Sequence, residues 1–180
     1  LNAHRGPGAV ARRLVLEAVA LGAALPVVPP RTLADLGSGA GLPGLPLAIL
    51  WPGCQVTLID SRERKHHFQR TAIRALGLSN ARAVRGRAES VDATQHQIVV
   101  AQAMAQPAEV LQWMRRWVRP DGWLVLAQSD PPAPVEPPAD VSFEGIRRYH
   151  VTLGGASRSL WLGRPAGEFL DGSGAAVIPT

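Results

Sequence analysis

The sequence predicts an α/β protein with a doubly wound, mainly parallel sheet. Short apolar runs alternate along the chain with segments of helical periodicity, which implies right-handed crossovers between parallel strands. A glycine-rich turn directly follows the first predicted strand, which is where sheets of this type bind ligands. With 180 residues the chain is long enough to form one domain with a sizeable core.

The first predicted helix covers 8–25, where Leu14 and Leu21 recur at helical spacing ahead of Pro26. The later helices are expected at 43–51, 62–76 and 107–118. The parallel strands are expected at 32–36, 55–59, 81–85, 97–101 and 122–127. Two further segments, 143–152 and 157–163, flank Gly154-Gly155 and predict an antiparallel hairpin at the sheet edge.

One domain is expected over 1–165, followed by a disordered tail over 166–180. Its predicted parts are an N-terminal helical segment 1–30, a cofactor-binding core 31–128, a linker 130–139 and the C-terminal hairpin 140–165. The linker holds five prolines and cannot be a helix interior. Because the chain begins with Leu1, we expect a truncated start.

Helix 62–76 is predicted to be amphipathic. The residues expected to face the sheet are Phe68, Ala72, Ala75 and Leu76. The residues expected on the opposite side are His66, His67, Arg70 and Arg74. This basic side is either a solvated surface or a contact surface for RNA. We expect no metal site at the two histidines, because adjacent helix positions diverge and no cysteine or carboxylate cluster joins them.

The turn after the first strand contains the pattern Asp35-x-Gly37-x-Gly39-x-Gly41. Glycine lets the backbone turn tightly and approach a ligand closely, because it has no Cβ. The second strand ends at Asp60, about 20 residues beyond the glycines, where a carboxylate can bind the two hydroxyls of a ribose. The alternative for Asp60 is a cap on the following helix. The pattern therefore predicts a nucleoside-cofactor site.

Two cofactors compete for this site. Gly39-x-Gly41-x-x-Gly44 matches the dinucleotide fingerprint of NAD proteins. Asp35 beside the turn disfavours a pyrophosphate and favours a cofactor that carries an amino group and a sulfonium. Prolines in the next helix also remove amide donors that a pyrophosphate would need. These observations favour S-adenosylmethionine over NAD.

The glycine turn resembles the cofactor loop of the RsmG (GidB) family. The resemblance is carried by 35–49, 56–61, 76–80 and 86–89, with weaker similarity from 2 to about 162. It implies a Rossmann-like class I S-adenosylmethionine-dependent methyltransferase fold with seven strands. It also implies methyl transfer to N7 of a guanine in 16S ribosomal RNA, with that RNA or the small ribosomal subunit as the partner.

The resemblance also implies particular cofactor contacts. Gly37 and Leu42 would line the methionine and ribose region, and Ala88 and Glu89 would border the adenine. The alternative for Glu89 is a carboxylate at a helix start. Guanine N7 has a lone pair and no proton, so we expect positioning of the reactants and no general base; no catalytic residue is assigned.

The chain departs from the family at several positions. Relatives carry His-x-x-Asp-Ser where this helix has Leu14, Glu17 and Ala18. An arginine of the family is replaced by Gln102, expected on the cofactor side, and a lysine by Gln128. The absence of these two basic groups removes charge-assisted hydrogen bonds. A catalytically weakened RNA-binding or assembly module on the same scaffold, and a small-molecule methyltransferase, therefore stay open as alternatives.

Composition agrees with an RNA-directed enzyme. The net charge of +5 and the pI near 10.9 favour a polyanionic partner. With one cysteine, Cys54, an intrachain disulfide is impossible, which is compatible with a reducing compartment. The sequence has no apolar run of membrane-spanning length and no signal-peptide pattern. We expect a cytoplasmic monomer without a membrane partner or a bound metal.

Overall fold

The computed structural model describes residues 7–102, 106–151 and 156–167. The helices are α1 (Pro7–Ala23), α2 (Gly44–Leu50), α3 (Glu63–Ala75) and α4 (Pro107–Trp117). The strands are β1 (Thr32–Leu36), β2 (Gln55–Asp60), β3 (Ala81–Arg85), β4 (His96–Gln102), β5 (Val118–Ser129), β6 (Val141–His150) and β7 (Ser157–Pro165). The predicted order of elements is confirmed.

These strands form one seven-stranded sheet in the order β3-β2-β1-β4-β5-β7-β6. Strands β1 to β5 are parallel, and β7 runs antiparallel to both β5 and β6. The predicted mainly parallel sheet with an antiparallel C-terminal hairpin is therefore confirmed. The second strand of the hairpin, not the first, lies beside β5.

The carboxyl ends of the parallel strands meet at one edge of the sheet. Leu36 pairs with Ile59 on β2 and with Ala101 on β4, and Asp60 pairs with Arg85. The chain crosses from β1 outward to β2 and β3, then returns to the other side of β1 with β4. Such a reversal opens a crevice between the loops that leave the strands.

Side chains on the central strands alternate between two cores. Leu33 and Val100 belong to the core under α1 and α2, whereas Ala34 and Val99 belong to the core under α4. Buried residues of the helices, together with Leu25 just after α1, complete the two cores: Leu21, Leu25, Leu47 and Ala48 on the first face, and Val110, Leu111, Met114 and Trp117 on the second. Helices thus cover both faces of the sheet, as a doubly wound fold requires.

Strand β5 begins four residues earlier than predicted. Val118 follows α4 directly and pairs with His96, and the register shifts before the next pair. Gly122 lies at this shift, where a Cβ would come 2.8 Å from the carbonyl oxygen of Gln97. Between the pairs His96–Val118 and Ile98–Trp123, β5 has three more residues than β4, and apolar periodicity does not reveal such an irregularity.

The predicted sheet-facing side of α3 is confirmed at Ala72 but is wrong at Phe68, Ala75 and Leu76. Phe68 and Leu76 are 52% and 54% exposed, and the fully buried residue of the helix is Gln69. Ala72 and Ile73 complete the side that packs on the sheet. The Gln69 amide nitrogen donates to the glycine loop, whereas its Oε1 has no hydrogen-bond partner in the described part of the chain; this polar side chain takes the place that apolarity had assigned to Phe68.

No helix or strand lies between Ser129 and Val141, all of which the structure describes. The predicted hairpin turn falls on 152–155 and most of the predicted tail on 168–180, both outside the described residues. Within the described part of the chain, no helix is long and apolar enough to cross a membrane. The same part holds no cluster of three or more His, Cys, Asp or Glu residues that could bind a metal ion.

Candidate functional site

The loop after β1 needs its glycines. Gly37, Gly39 and Gly41 have φ angles of 67°, 53° and 80°, a left-handed conformation that other residues rarely adopt. The loop is closed by hydrogen bonds from the amides of Gly41 and Leu42 to the carbonyl oxygen of Ser38, at 2.7 and 3.0 Å. The predicted tight turn therefore exists, and it brings the backbone to the carboxyl edge of the sheet.

Asp35 lies beneath this loop. Its side chain is buried, and Oδ2 accepts a hydrogen bond from the amide of Gly44 at 2.9 Å. A Cβ at position 44 would clash with the Leu58 side chain and come 2.9 Å from the same Oδ2, so a larger residue there would force these buried side chains to shift. Burial raises the pKa of the Asp35 carboxyl to about 7. Asp35 supports the loop in this structure, and its direct contact with a cofactor stays a prediction.

Asp60 joins the glycine loop to the start of α3. Its Oδ2 accepts from the amide of Gly39 at 2.9 Å, and its Oδ1 accepts from the amide of Arg62 at 2.8 Å. The Arg62 guanidinium adds weaker contacts at 3.3 and 3.5 Å. Burial alone would raise the pKa of Asp60, but these amide and guanidinium donors outweigh it and lower the pKa below its ordinary value. The carboxylate therefore stays ionised as an acceptor.

A cavity of about 330 Å³ opens beside this carboxylate, and we call it the Asp60 cavity. Its walls include four of the predicted cofactor residues: Gly37, Asp60, Ala88 and Glu89. The other walls are Ile59, Ser61, Arg62, Gly86, Arg87 and Trp113. This volume lies within the range of small-molecule pockets. The structure thus assembles, from three separate loops, a site with a carboxylate at its centre.

Helix α4 holds the segment that carries Ala88 and Glu89. The indole Nε1 of Trp117 donates to the carbonyl oxygen of Ala88 at 2.9 Å, and Arg116 donates to that of Glu89. No helix of the described chain begins at Glu89, so its alternative role at a helix start is not supported. The neighbouring Trp113 of α4 lines the cavity. Sequence reasoning missed Trp113, because only the fold brings it to the cavity that Asp60 lines.

Sequence reasoning also missed Gln69. Its Nε2 donates to the hydroxyl of Ser38 at 2.8 Å and to the carbonyl oxygen of Gly39 at 2.9 Å. A buried amide with these partners ties α3 to the glycine loop. The sequence contained one indication of this role: Gln69, a long polar residue, directly follows Phe68, which was predicted to face the sheet.

A second, smaller cavity of about 150 Å³ lies at the same edge, and we call it the Gln102 cavity. Its walls are Leu14, Glu17, Ala18, Leu21, Leu42, Pro43, Gln102, Tyr149 and Arg158. Two predicted cofactor residues, Leu42 and Gln102, line this cavity and not the first. Glu17 forms an ion pair with Arg158 at 3.4 Å.

Four of the positions expected to depart from the RsmG pattern line the Gln102 cavity. Leu14, Glu17 and Ala18 come from α1, and Gln102 comes from the end of β4. Gln128 does not line either cavity. Expected departures that are far apart in sequence therefore fall in one small region, while Gly37, Ala88 and Glu89, which the resemblance implies as cofactor contacts, line the Asp60 cavity.

Asn80, the last residue of the 76–80 motif, connects three parts of the backbone through its side chain. Its Nδ2 donates to the carbonyl oxygens of Ala48, Trp51 and Cys54, at 3.0, 3.1 and 2.9 Å. These hydrogen bonds hold the turn between α2 and β2 against the start of β3. The motif therefore has a structural role, away from both cavities.

Comparison of the sequence with known proteins identifies a family that the chain matches. The profile of the family described as rRNA small subunit methyltransferase G matches residues 1–160. The ribosomal RNA small subunit methyltransferase G of Stenotrophomonas maltophilia strain K279a is 43% identical over 126 residues, which cover 69% of this chain and 58% of that protein. The chain thus spans less than two thirds of the length of this curated relative.

Solved structures share the fold. A mutant of MtNAS in complex with S-adenosylmethionine superposes with a TM-score of 0.64 at 16% identity, covering 91% of this chain and 68% of that one. The putative methyltransferase yhhF from Escherichia coli gives a TM-score of 0.64 at 20% identity, covering 85% and 87%. These likenesses confirm the predicted Rossmann-like class I methyltransferase fold.

Proposed function

The chain belongs to the rRNA small subunit methyltransferase G family, and from this premise we propose that it transfers a methyl group from S-adenosylmethionine to N7 of a guanine in 16S ribosomal RNA. The observation that carries the proposal is the Asp60 cavity. It combines a buried, ionised carboxylate with a glycine loop at the switch point of a doubly wound sheet.

The residues around the Asp60 cavity fit this cofactor. Asp60 offers acceptors to two ribose hydroxyls, and Gly37 lets the backbone come close because it has no Cβ. Trp113 offers an apolar wall for an adenine, next to the Ala88 segment. The guanidinium of Arg62, whose side chain is 68% exposed, makes only long contacts with Asp60 and can give way to hydroxyl donors.

The other predicted residues act around the transfer itself. When bound, S-adenosylmethionine supplies an electrophilic methyl group on its sulfonium. Leu42 and Pro43 line the Gln102 cavity, where their apolar side chains would exclude water. The Gln102 cavity is below the usual size of a small-molecule pocket, which suits one base rather than a whole nucleotide. We assign it to the target guanine.

The proposed reaction needs alignment and no proton transfer. Guanine N7 attacks with a lone pair that carries no proton, so no side chain has to act as a general base. N7 lies in the deep groove of A-form RNA, so the target base must be unpaired or opened before it can enter a cavity. The 16S RNA or the assembled small subunit is the proposed partner, and a monomer in the cytoplasm is the proposed working form.

A methyl-transfer assay tests the proposed function. Tritiated S-adenosylmethionine is mixed with small ribosomal subunits that lack the modification, and the labelled base is then mapped. Label on a guanine N7 supports the proposal. Tight cofactor binding without label on any substrate favours a non-catalytic assembly module, and label only on small acceptors favours a small-molecule methyltransferase. Calorimetry that detects NADH binding but no S-adenosylhomocysteine binding would overturn the cofactor assignment.

A further inference from the structure

Phe68 lies on the exposed side of α3. Its ring is 52% exposed and lines a groove of about 710 Å³ between the glycine loop, represented by Ala40, and the first turns of α3. A single exposed apolar side chain is common on protein surfaces and by itself needs no explanation. Here the aromatic ring forms the wall of a groove beside the proposed catalytic edge, which indicates a binding role.

The rest of the groove is basic. Its charged walls are Arg62, Glu63, Arg64 and Lys65. Oε2 of Glu63 lies 3.4 Å from Nη2 of Arg85, and this ion pair offsets the negative charge of Glu63. Among the described residues, neither Arg64 nor Lys65 takes part in an ion pair. The groove thus pairs an exposed aromatic face with cations that have no acidic partner in the described part of the chain.

We infer that this groove binds a single-stranded RNA nucleotide that neighbours the methylated guanine, with its base stacked on Phe68 and its backbone phosphates against Arg64 and Lys65. Aromatic platforms flanked by cations are the common means of holding unpaired nucleotides, because every base has a face that can stack and every phosphate a charge. The inference rests on the proposed function for the identity of the RNA.

The placement of the groove supports this assignment. Ala40 lines the groove and Leu42 lines the Gln102 cavity, so the same short glycine loop borders both. A strand that delivers one base into the Gln102 cavity can therefore continue across the loop towards Phe68. The excess of cations favours a nucleic acid over a protein partner, since protein interfaces are depleted of lysine at their centres.

Replacing the ring tests the stacking contact. Phe68→Ala should weaken binding of a short fluorescein-labelled single-stranded oligoribonucleotide by about 5- to 10-fold. It should raise KM for unmodified small subunits to a similar extent, without changing kcat. Phe68→Trp should restore both values, because an indole also stacks. Leu76→Ala is the matched control, since Leu76 is equally exposed at the end of the same helix but outside the groove.

Charge removal tests the phosphate contacts. The double variant Arg64→Gln, Lys65→Gln should reduce the slope of log affinity against log salt by about 0.7 for each phosphate that is no longer neutralised. The paired control is Arg70→Gln, Arg74→Gln, which neutralises the other basic surface of α3. If only this control reduces the slope, the groove is not the RNA surface. If Phe68→Ala weakens binding to whole subunits but not to protein-free RNA, Phe68 contacts a ribosomal protein and the inference is overturned.

The two proposals can fail separately. S-adenosylhomocysteine affinity, measured by calorimetry, should be equal in the wild type and in Phe68→Ala, which verifies that the variant is folded. If the wild type transfers methyl groups to subunits while Phe68→Ala has an unchanged KM and RNA affinity, only the groove assignment fails. If the wild type transfers none but its RNA affinity depends on Phe68, the proposed reaction fails and the groove stands.

Discussion

The carboxylate of Asp60 accepts a hydrogen bond from the amide of Gly39 at 2.9 Å. This hydrogen bond joins the end of β2 to the glycine loop that follows β1, two segments that are 21 residues apart. The residue proposed to bind the ribose therefore also holds the loop in place. Removal of its negative charge should affect both binding and local order, and the two effects need separate measurements.

Asp60→Asn should lower the affinity for S-adenosylhomocysteine by about 1–3 kcal/mol, because one acceptor for the ribose hydroxyls becomes an amide donor. Calorimetry gives the affinity, and thermal unfolding gives the cost to the loop. Asp92→Asn is the control, since Asp92 lies outside both cavities. Equal affinities of the wild type and Asp60→Asn would exclude Asp60 as the ribose ligand.

Gly44→Ala should destabilise the protein by about 1–3 kcal/mol, because the new methyl group overlaps Leu58 and crowds Asp35 Oδ2 in a packed core. Denaturant unfolding measures this destabilisation. Gly53→Ala should have little effect, since a Cβ there meets no atom within 4 Å. Similar free energies of unfolding in the two variants would show that the clash at position 44 is relieved by movement of the loop.

Asn80→Ala should also destabilise the fold, by about 2 kcal/mol or more, since three carbonyl oxygens are deprived of their side-chain donor. The change should appear in the free energy of unfolding and leave cofactor affinity unaltered, because Asn80 lines neither cavity. Ser79→Ala, at an exposed neighbouring position, serves as the reference. A variant at position 80 that retained full stability would contradict the role given to the 76–80 motif.

Stability should fall as the pH rises towards neutrality, and Asp35 should be one cause. Burial raises the pKa of Asp35 from 3.8 to about 7; the Gly44 amide opposes the shift and the nearby Asp60 carboxylate adds to it. Between pH 3.8 and about pH 7, Asp35 keeps its proton in the folded protein but has released it in the unfolded chain. The free energy of unfolding therefore decreases with pH by up to about 1.4 kcal/mol per unit within that interval.

Asp35→Asn isolates this effect. The amide oxygen can still accept from Gly44, but the side chain no longer titrates. The stability of the variant relative to the wild type should therefore rise with pH between about pH 4 and pH 7, as followed by denaturant unfolding at several pH values. A constant difference between the two proteins across this interval would mean that the folded-state pKa of Asp35 is not raised.

Gln102→Arg should increase kcat/KM for methyl transfer by about tenfold, because a guanidinium offers forked, charged donors that an amide lacks. The new group would lie in the cavity that holds the Glu17–Arg158 ion pair. Gln102→Met removes the amide without adding charge and should not increase the rate. If arginine and methionine have the same effect, the lack of an arginine at position 102 does not limit this chain.

The sequence by itself determined the parts of the site that are close along the chain. The alternation of strands and helices, the glycines of the first turn and the position of Asp60 follow from local periodicity and conformational preference. These features were predicted with nearly correct bounds, because each depends on the backbone preferences of a few consecutive residues. The fold class and the family resemblance followed from the same segments.

Only the tertiary structure decided which residues meet. It placed four of the predicted cofactor residues in one cavity, two in another, and Asp35, Gly39 and Gly41 in neither. It also turned Gln69 inward and Phe68 outward, and it brought Glu17 to Arg158 across 141 residues. These outcomes depend on strand register and on which buried polar groups find partners, and neither is a property of a local segment. Apolarity alone favoured Phe68 for the core, but α3 instead turns Gln69 inward, where its amide nitrogen donates to the glycine loop.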